Sequence, residues 1–60
     1  MELPADDFIL LSIINTNLRD KYSSLQQLCE EEDADISAVV SRLGALGYEY
    51  DGVRNCFSLK

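Results

Sequence analysis

Four consecutive acids, Glu30-Glu31-Glu32-Asp33, form the densest run of chemically active side chains in this sequence, and a thiol, Cys29, stands immediately before them. Carboxylates work as general acids and bases, as cation ligands or as docking points for basic partners. Acid–base work needs a carboxyl group whose pKa burial has raised, whereas this run falls at a helix end where water reaches it. Calcium fits poorly. Asp33-Ala34-Asp35 begins like an ion loop, but Ala38 occupies the position that an EF-hand gives to its sharp-turn Gly, and no matching Glu follows. Cys29 and Cys56, in a chain without histidine, do not make the usual tetrahedral zinc site. No Ser/His or Cys/His pair and no Gly-rich phosphate loop is present. The expectation is a non-enzymatic protein with no cofactor and no metal. The acidic run then has two readings, a patch for a basic partner or a solvated turn.

The cations point the same way. Eleven acidic residues against five basic ones give a formal charge of −6. Nucleic-acid binders gain affinity by setting Lys and Arg against phosphates, and Arg19, Lys21, Arg42, Arg54 and Lys60 are scattered along the chain. The charge also disfavours anionic membranes and favours a basic partner or plain solubility. Met1-Glu2-Leu3 opens acidic, and the apolar run Phe8–Ile14 is too short to span a bilayer. A cytoplasmic protein is expected, with Cys29 and Cys56 as free thiols serving as small hydrophobes. A disulfide joining the second helix to the last strand is the oxidised alternative.

Sixty residues make a single domain, 1–60, near the lower size limit for folding alone, so a dense core or a partner is needed. Pro4 and the N-cap Asp6 start a helix over about 7–21. Phe8, Leu10, Leu11, Ile14, Leu18 and Tyr22 form its broad apolar stripe, and Ile9 and Ile13 lie beyond that stripe. The second cover for this helix must be a hairpin or another subunit. Ser12, Asn15 and Arg19 line a polar face that is either solvated and loop-capping or a binding surface. Ser23 with Gln26 and Ser24 with Gln27 offer overlapping capping boxes for a helix over about 24–32, whose inward face is Leu25, Leu28 and Cys29. Asp35 caps a third helix over about 36–46, with Ile36, Val39, Val40, Leu43 and Leu46 in helical period. Gly44 offers close approach to a neighbouring element, and Gly47 suits a left-handed helix terminus.

A hairpin over about 48–59 closes the chain. Asp51-Gly52 is a strong two-residue turn signal that pairs Tyr50 with Val53 and Glu49 with Arg54. It sorts Tyr48, Tyr50, Val53, Phe57 and Leu59 onto one face. A longer loop ending at Asn55, a residue that tolerates positive φ, is the alternative. The fold class is α+β, mostly α: a three-helix core containing a helix-turn-helix, then a two-stranded hairpin, in winged-helix order.

Two resemblances follow. Residues Leu25–Leu59 resemble the helix-turn-helix and wing of the biotin-repressor type of winged helix, through Leu28-Cys29, then Val39, Val40 and Leu43, then Gly47-Tyr48 and Phe57-Ser58-Leu59. The whole chain is also similar to a family of short bacterial proteins grouped as a domain of unknown function. Leu3-Pro4, Asp6, Leu10-Leu11-Ser12, Asn15-Thr16, Leu18-Arg19-Asp20, Ser24-Leu25, Leu28-Cys29 and Gly47-Tyr48-Glu49-Tyr50 carry that likeness. It implies a stand-alone domain and brings no activity with it.

The expected function is a protein-interaction module that self-associates or docks a partner protein. Its candidate surface is Ile9, Ile13, Asn15 and Arg19 with the acidic run Glu30, Glu31, Glu32 and Asp33. The alternative is a DNA-binding regulatory domain acting as a dimer or beside a basic partner. Ser37, Ser41 and Arg42 would then face the groove and Arg54 would reach from the wing, with Arg42 able to read a guanine.

Overall fold

A computed structural model describes residues 1–60. Helices α1 (Asp7–Asp20), α2 (Leu25–Glu31) and α3 (Ile36–Ala45) precede strands β1 (Tyr48–Asp51) and β2 (Cys56–Leu59), which pair as an antiparallel hairpin. The architecture is the expected mostly helical α+β fold. No helix is long and apolar enough to cross a membrane.

Side-chain caps set where the helices begin. Asp6 accepts from the backbone N–H groups of Phe8 and Ile9 at 2.8 and 3.2 Å, and Asp35 from that of Ser37 at 2.9 Å. At α2 the Ser24 hydroxyl accepts from Gln27 N–H, while the Gln27 side chain turns back to accept from Ser23 N–H. Of the two overlapping boxes the chain uses Ser24 with Gln27. Each such cap stabilises its helix by about 1 kcal/mol.

Helix α2 ends in a Schellman motif: Ala34 N–H reaches Cys29 C=O at 2.8 Å, and Asp33 N–H reaches Glu30 C=O at 3.4 Å. The motif puts Asp33, in place of the customary glycine, at φ 54°. Helix α3 ends as expected on Gly47, at φ 89°.

The core gathers Leu10, Ile14 and Leu18 of α1, Leu25, Leu28 and Cys29 of α2, Val39 and Leu43 of α3, and Phe57 of β2. Periodicity identified nearly all of these. Phe8 departs from the expected stripe and stays 64% exposed, because it lies about 120° around the helix from Ile14. Gly44 departs too. A Cβ placed there meets nothing within 4 Å, so no element packs against it.

The hairpin register corrects the two-residue turn. Tyr50 pairs with Phe57 and Asp51 with Cys56, which leaves Gly52–Asn55 as a four-residue loop. Asp51 accepts from the N–H groups of Val53 and Arg54 at 2.9 and 3.2 Å, and Asn55 closes the loop at φ 56°. Val53 and Arg54 therefore sit in the loop, unpaired with Tyr50 or Glu49, and Val53 points into solvent. Tyr50 faces a residue four positions further along than expected. An even shift keeps each side chain on its face, which is why Tyr48, Tyr50, Phe57 and Leu59 still share one.

Candidate functional site

Two asparagines fasten the hairpin to α1. The Asn15 amide donates to Phe57 C=O at 3.1 Å and accepts from Phe57 N–H at 2.8 Å. A side-chain amide thus stands where a neighbouring strand's peptide would, and satisfies both backbone groups of the one buried residue of β2. The Asn55 amide donates to Leu18 C=O and Tyr22 C=O at 3.0 and 2.8 Å, while its oxygen accepts from the Tyr50 hydroxyl at 2.7 Å. That hydroxyl in turn accepts from Leu25 N–H at 3.2 Å. The relay joins unpaired carbonyls at the end of α1 to an unpaired N–H at the start of α2. It also explains the register, since a two-residue turn would carry Asn55 away from all three partners. The positive-φ tolerance of Asn was visible in the sequence, but its distant partners were not.

Arg42 is similarly committed. Its guanidinium donates to Asp7 at 2.7 Å, to Pro4 C=O, and to Ala5 C=O at 3.1 Å. It clamps the N-terminal segment onto α3 rather than projecting from it. Ser37 and Ser41 are exposed, and Arg54 lies on the hairpin loop.

The acidic run divides. Glu30 and Glu31 face solvent, whereas half-buried Glu32 accepts from the Tyr22 hydroxyl and Asp33 supplies the left-handed turn. The bond to Glu32 holds the Tyr22 phenol above its usual pKa, with desolvation and the charges of Glu32 and Glu31 adding to it. The Met1 amino group donates to the carbonyls of Glu32 and Asp33, bringing positive charge to a helix end that the acids load with negative charge. Both cysteines are unpaired. Burial, then the charge of Asp35, pushes the Cys29 thiol up, so it stays protonated and packs as a hydrophobe.

Ile36 and Val40 of α3, which share the helical period of Val39 and Leu43, stay 42% and 47% exposed instead of joining the core. Two further surfaces remain uncommitted. On α1, Ile9 is 53% and Ile13 37% exposed, one turn apart, while Phe8, also exposed, lies about 100–140° around the helix from them, on the side of Asn15. Between α1 and the hairpin loop runs a shallow groove of about 590 Å³, lined by Ser12, Asn15, Thr16, Arg19, Arg54, Asn55 and Cys56 together with Leu18. Arg19 meets only its neighbour Asp20, at 2.8 and 3.0 Å, and these bonds hold the Asp20 carboxyl below the usual range. Of the sequence candidates, Asn15, Arg19 and Arg54 thus come together, while Ile9 and Ile13 form a patch of their own.

Neither a curated protein nor a solved structure matches the chain. One family model does, over residues 4–57: the chain belongs to the family described as Domain of unknown function (DUF4250).

Proposed function

We propose that this chain is a non-enzymatic protein-interaction module that uses the outer side of α1, with a second copy of itself as its first partner. The observation that carries this reading is the exposure of Ile9 and Ile13, one turn apart on the longest helix of so small a domain. Large apolar side chains at i and i+4 are neighbours on a helix surface, and a contiguous exposed patch marks a contact site in soluble proteins. The exposed pair Glu30 and Glu31 adds a charged element suited to a basic partner. Three helices followed by a hairpin also fit the winged-helix reading. In that architecture a domain without a basic face serves docking, by analogy of fold alone.

Molar mass in solution across a dilution series tests self-association. The mass of the wild-type chain is expected to rise from 6.7 kDa towards twice that value as concentration increases. Ile9→Glu/Ile13→Glu is expected to remain monomeric. A monomer at every concentration contradicts the reading. Against the DNA alternative stand the charge of −6 and the engagement of Arg42 with Asp7. Anisotropy of a labelled duplex at low salt checks it: no binding at roughly tens of micromolar protein removes it, since non-specific binders reach that range.

A further inference from the structure

Five cations serve a chain of charge −6, and two of them converge on one groove. Arg19 comes from the last turn of α1 and Arg54 from the hairpin loop, with side chains 74% and 77% exposed. No carboxylate lines the groove between them, and Ser12 and Thr16 add hydroxyls. The Asn15 and Asn55 amides that share the lining bond to backbone groups of Phe57, Leu18 and Tyr22 and to the Tyr50 hydroxyl. We propose that this groove binds a small phosphorylated ligand, its phosphate held between Arg19 and Arg54.

The chemistry of the donors selects the ligand. One guanidinium fork satisfies a carboxylate, as Arg19 does with Asp20, whereas the Arg54 guanidinium, the remaining N–H donors of Arg19 and two hydroxyls match the oxygens and double charge of a phosphate monoester. The competing acids are weak holders. Asp20 pairs with Arg19 across adjacent, exposed residues, and exposed pairs contribute little. Asp51 stands 4.0 Å from Arg54 and already accepts two loop N–H groups through its other oxygen. Three N–H donors of Arg19 remain free beside those given to Asp20. The volume lies within the range of small-molecule sites, about 300–1,000 Å³. The mostly polar lining calls for a polar remainder such as a sugar, not an aromatic ring.

The test is a ¹⁵N-resolved NMR titration of the full chain, arginine Nε signals included, with inorganic phosphate, glucose 6-phosphate and glucose. Both phosphates are expected to give saturable shifts at Ser12, Thr16, Arg19 and Arg54, and glucose none. Arg19→Ala and Arg54→Ala should each weaken binding about tenfold, the effect of losing a charged hydrogen bond. Lys21→Ala makes the same change in net charge and should leave binding as it is. All three side chains are exposed, so unchanged spectra elsewhere will report an intact fold. The proposal is overturned by shifts that do not saturate at millimolar phosphate, by binding that survives Arg19→Ala/Arg54→Ala, or by equal weakening in Lys21→Ala. Ile9 and Ile13 do not line the groove, so this outcome is independent of self-association.

Discussion

Ile13 and Asn15 stand two residues apart on α1 and have opposite fates. Asn15, a polar residue on a helix surface, turns both ends of its amide to the backbone of Phe57, one N–H donating and the oxygen accepting. Ile13, an apolar residue in the same turn, remains exposed, as does Ile9. The hairpin-facing side of the helix is held by polar groups, and the far side carries the apolar ones. Asn15 and Arg42, polar residues that look functional in the sequence, therefore do architectural work here, and Ile9 and Ile13 are left outside the core. Arg42 and Arg19 repeat the contrast, one bound to Asp7 and two carbonyls, the other held only by its neighbour Asp20.

The comparison breaks most readily at Asn55. Asn55→Ala removes three hydrogen bonds and puts a Cβ-bearing residue without side-chain compensation at positive φ, so urea unfolding should show a loss of about 3 kcal/mol. That is a large share of the roughly 3–9 kcal/mol expected for a domain of this length. Asn55→Gly relieves the backbone and should recover about 1 kcal/mol of the loss. Equal losses in both variants would show that the backbone conformation contributes nothing.

Arg42→Ala comes next, at about 1–2 kcal/mol, because it breaks a half-buried ion pair and leaves two carbonyls without their donor. A neutral outcome would return Arg42 to the set of free cations. Gly44→Ala should act in the opposite direction. Its Cβ meets open space, and exchanging Gly for Ala within a helix stabilises by about 1 kcal/mol. A loss of stability on that exchange would mean that a partner packs against Gly44.

The smallest effect concerns Tyr22. Its phenol is held above the ordinary pKa in the folded chain by the bond to Glu32, so the folded state favours the protonated form. The contribution is complete below the unfolded-state pKa, near 10, and is lost as pH rises through the higher folded value. Stability of the wild-type chain should therefore fall more steeply above about pH 10 than that of Tyr22→Phe. Parallel profiles would show that Glu32 is not tied to Tyr22 and is as free as Glu30 and Glu31.

Much of the fold was legible because the signals that carry it are local. Period alone located Leu10, Ile14, Leu18, Leu28, Val39 and Leu43, and short-range cap chemistry located Asp6, Ser24, Asp35 and Gly47. The hairpin's faces were legible as well, since alternation survives an even shift of register. Its turn was not. Asp51-Gly52 is a strong local signal, and it lost to three bonds that Asn55 makes with Tyr50, Leu18 and Tyr22, two of them distant in sequence. Arg42 was misleading for the same reason, its partner Asp7 lying at the other end of the chain. Phe8 belonged to a stripe drawn wider than the core covers. Asp33 took a turn position usually given to glycine, so the motif that ends α2 had no conspicuous residue to announce it. The candidate site was legible at Ile9 and Ile13, where an apolar pair exceeded what one small core would bury. The approach of Arg54 to Arg19 depended on the longer loop and was hidden with it.

The division of labour on α1 is most directly tested by urea unfolding of Asn15→Ala beside Ile9→Glu/Ile13→Glu, at a concentration where both are monomeric. Asn15→Ala should lose about 2 kcal/mol, because Phe57 keeps a part-buried N–H and C=O without partners. The Glu variant should stay within about 0.5 kcal/mol of wild type, as exposed positions do. A stable Asn15→Ala, or an equal loss in the Glu variant, would contradict the assignment of fold to one side of the helix and contact to the other.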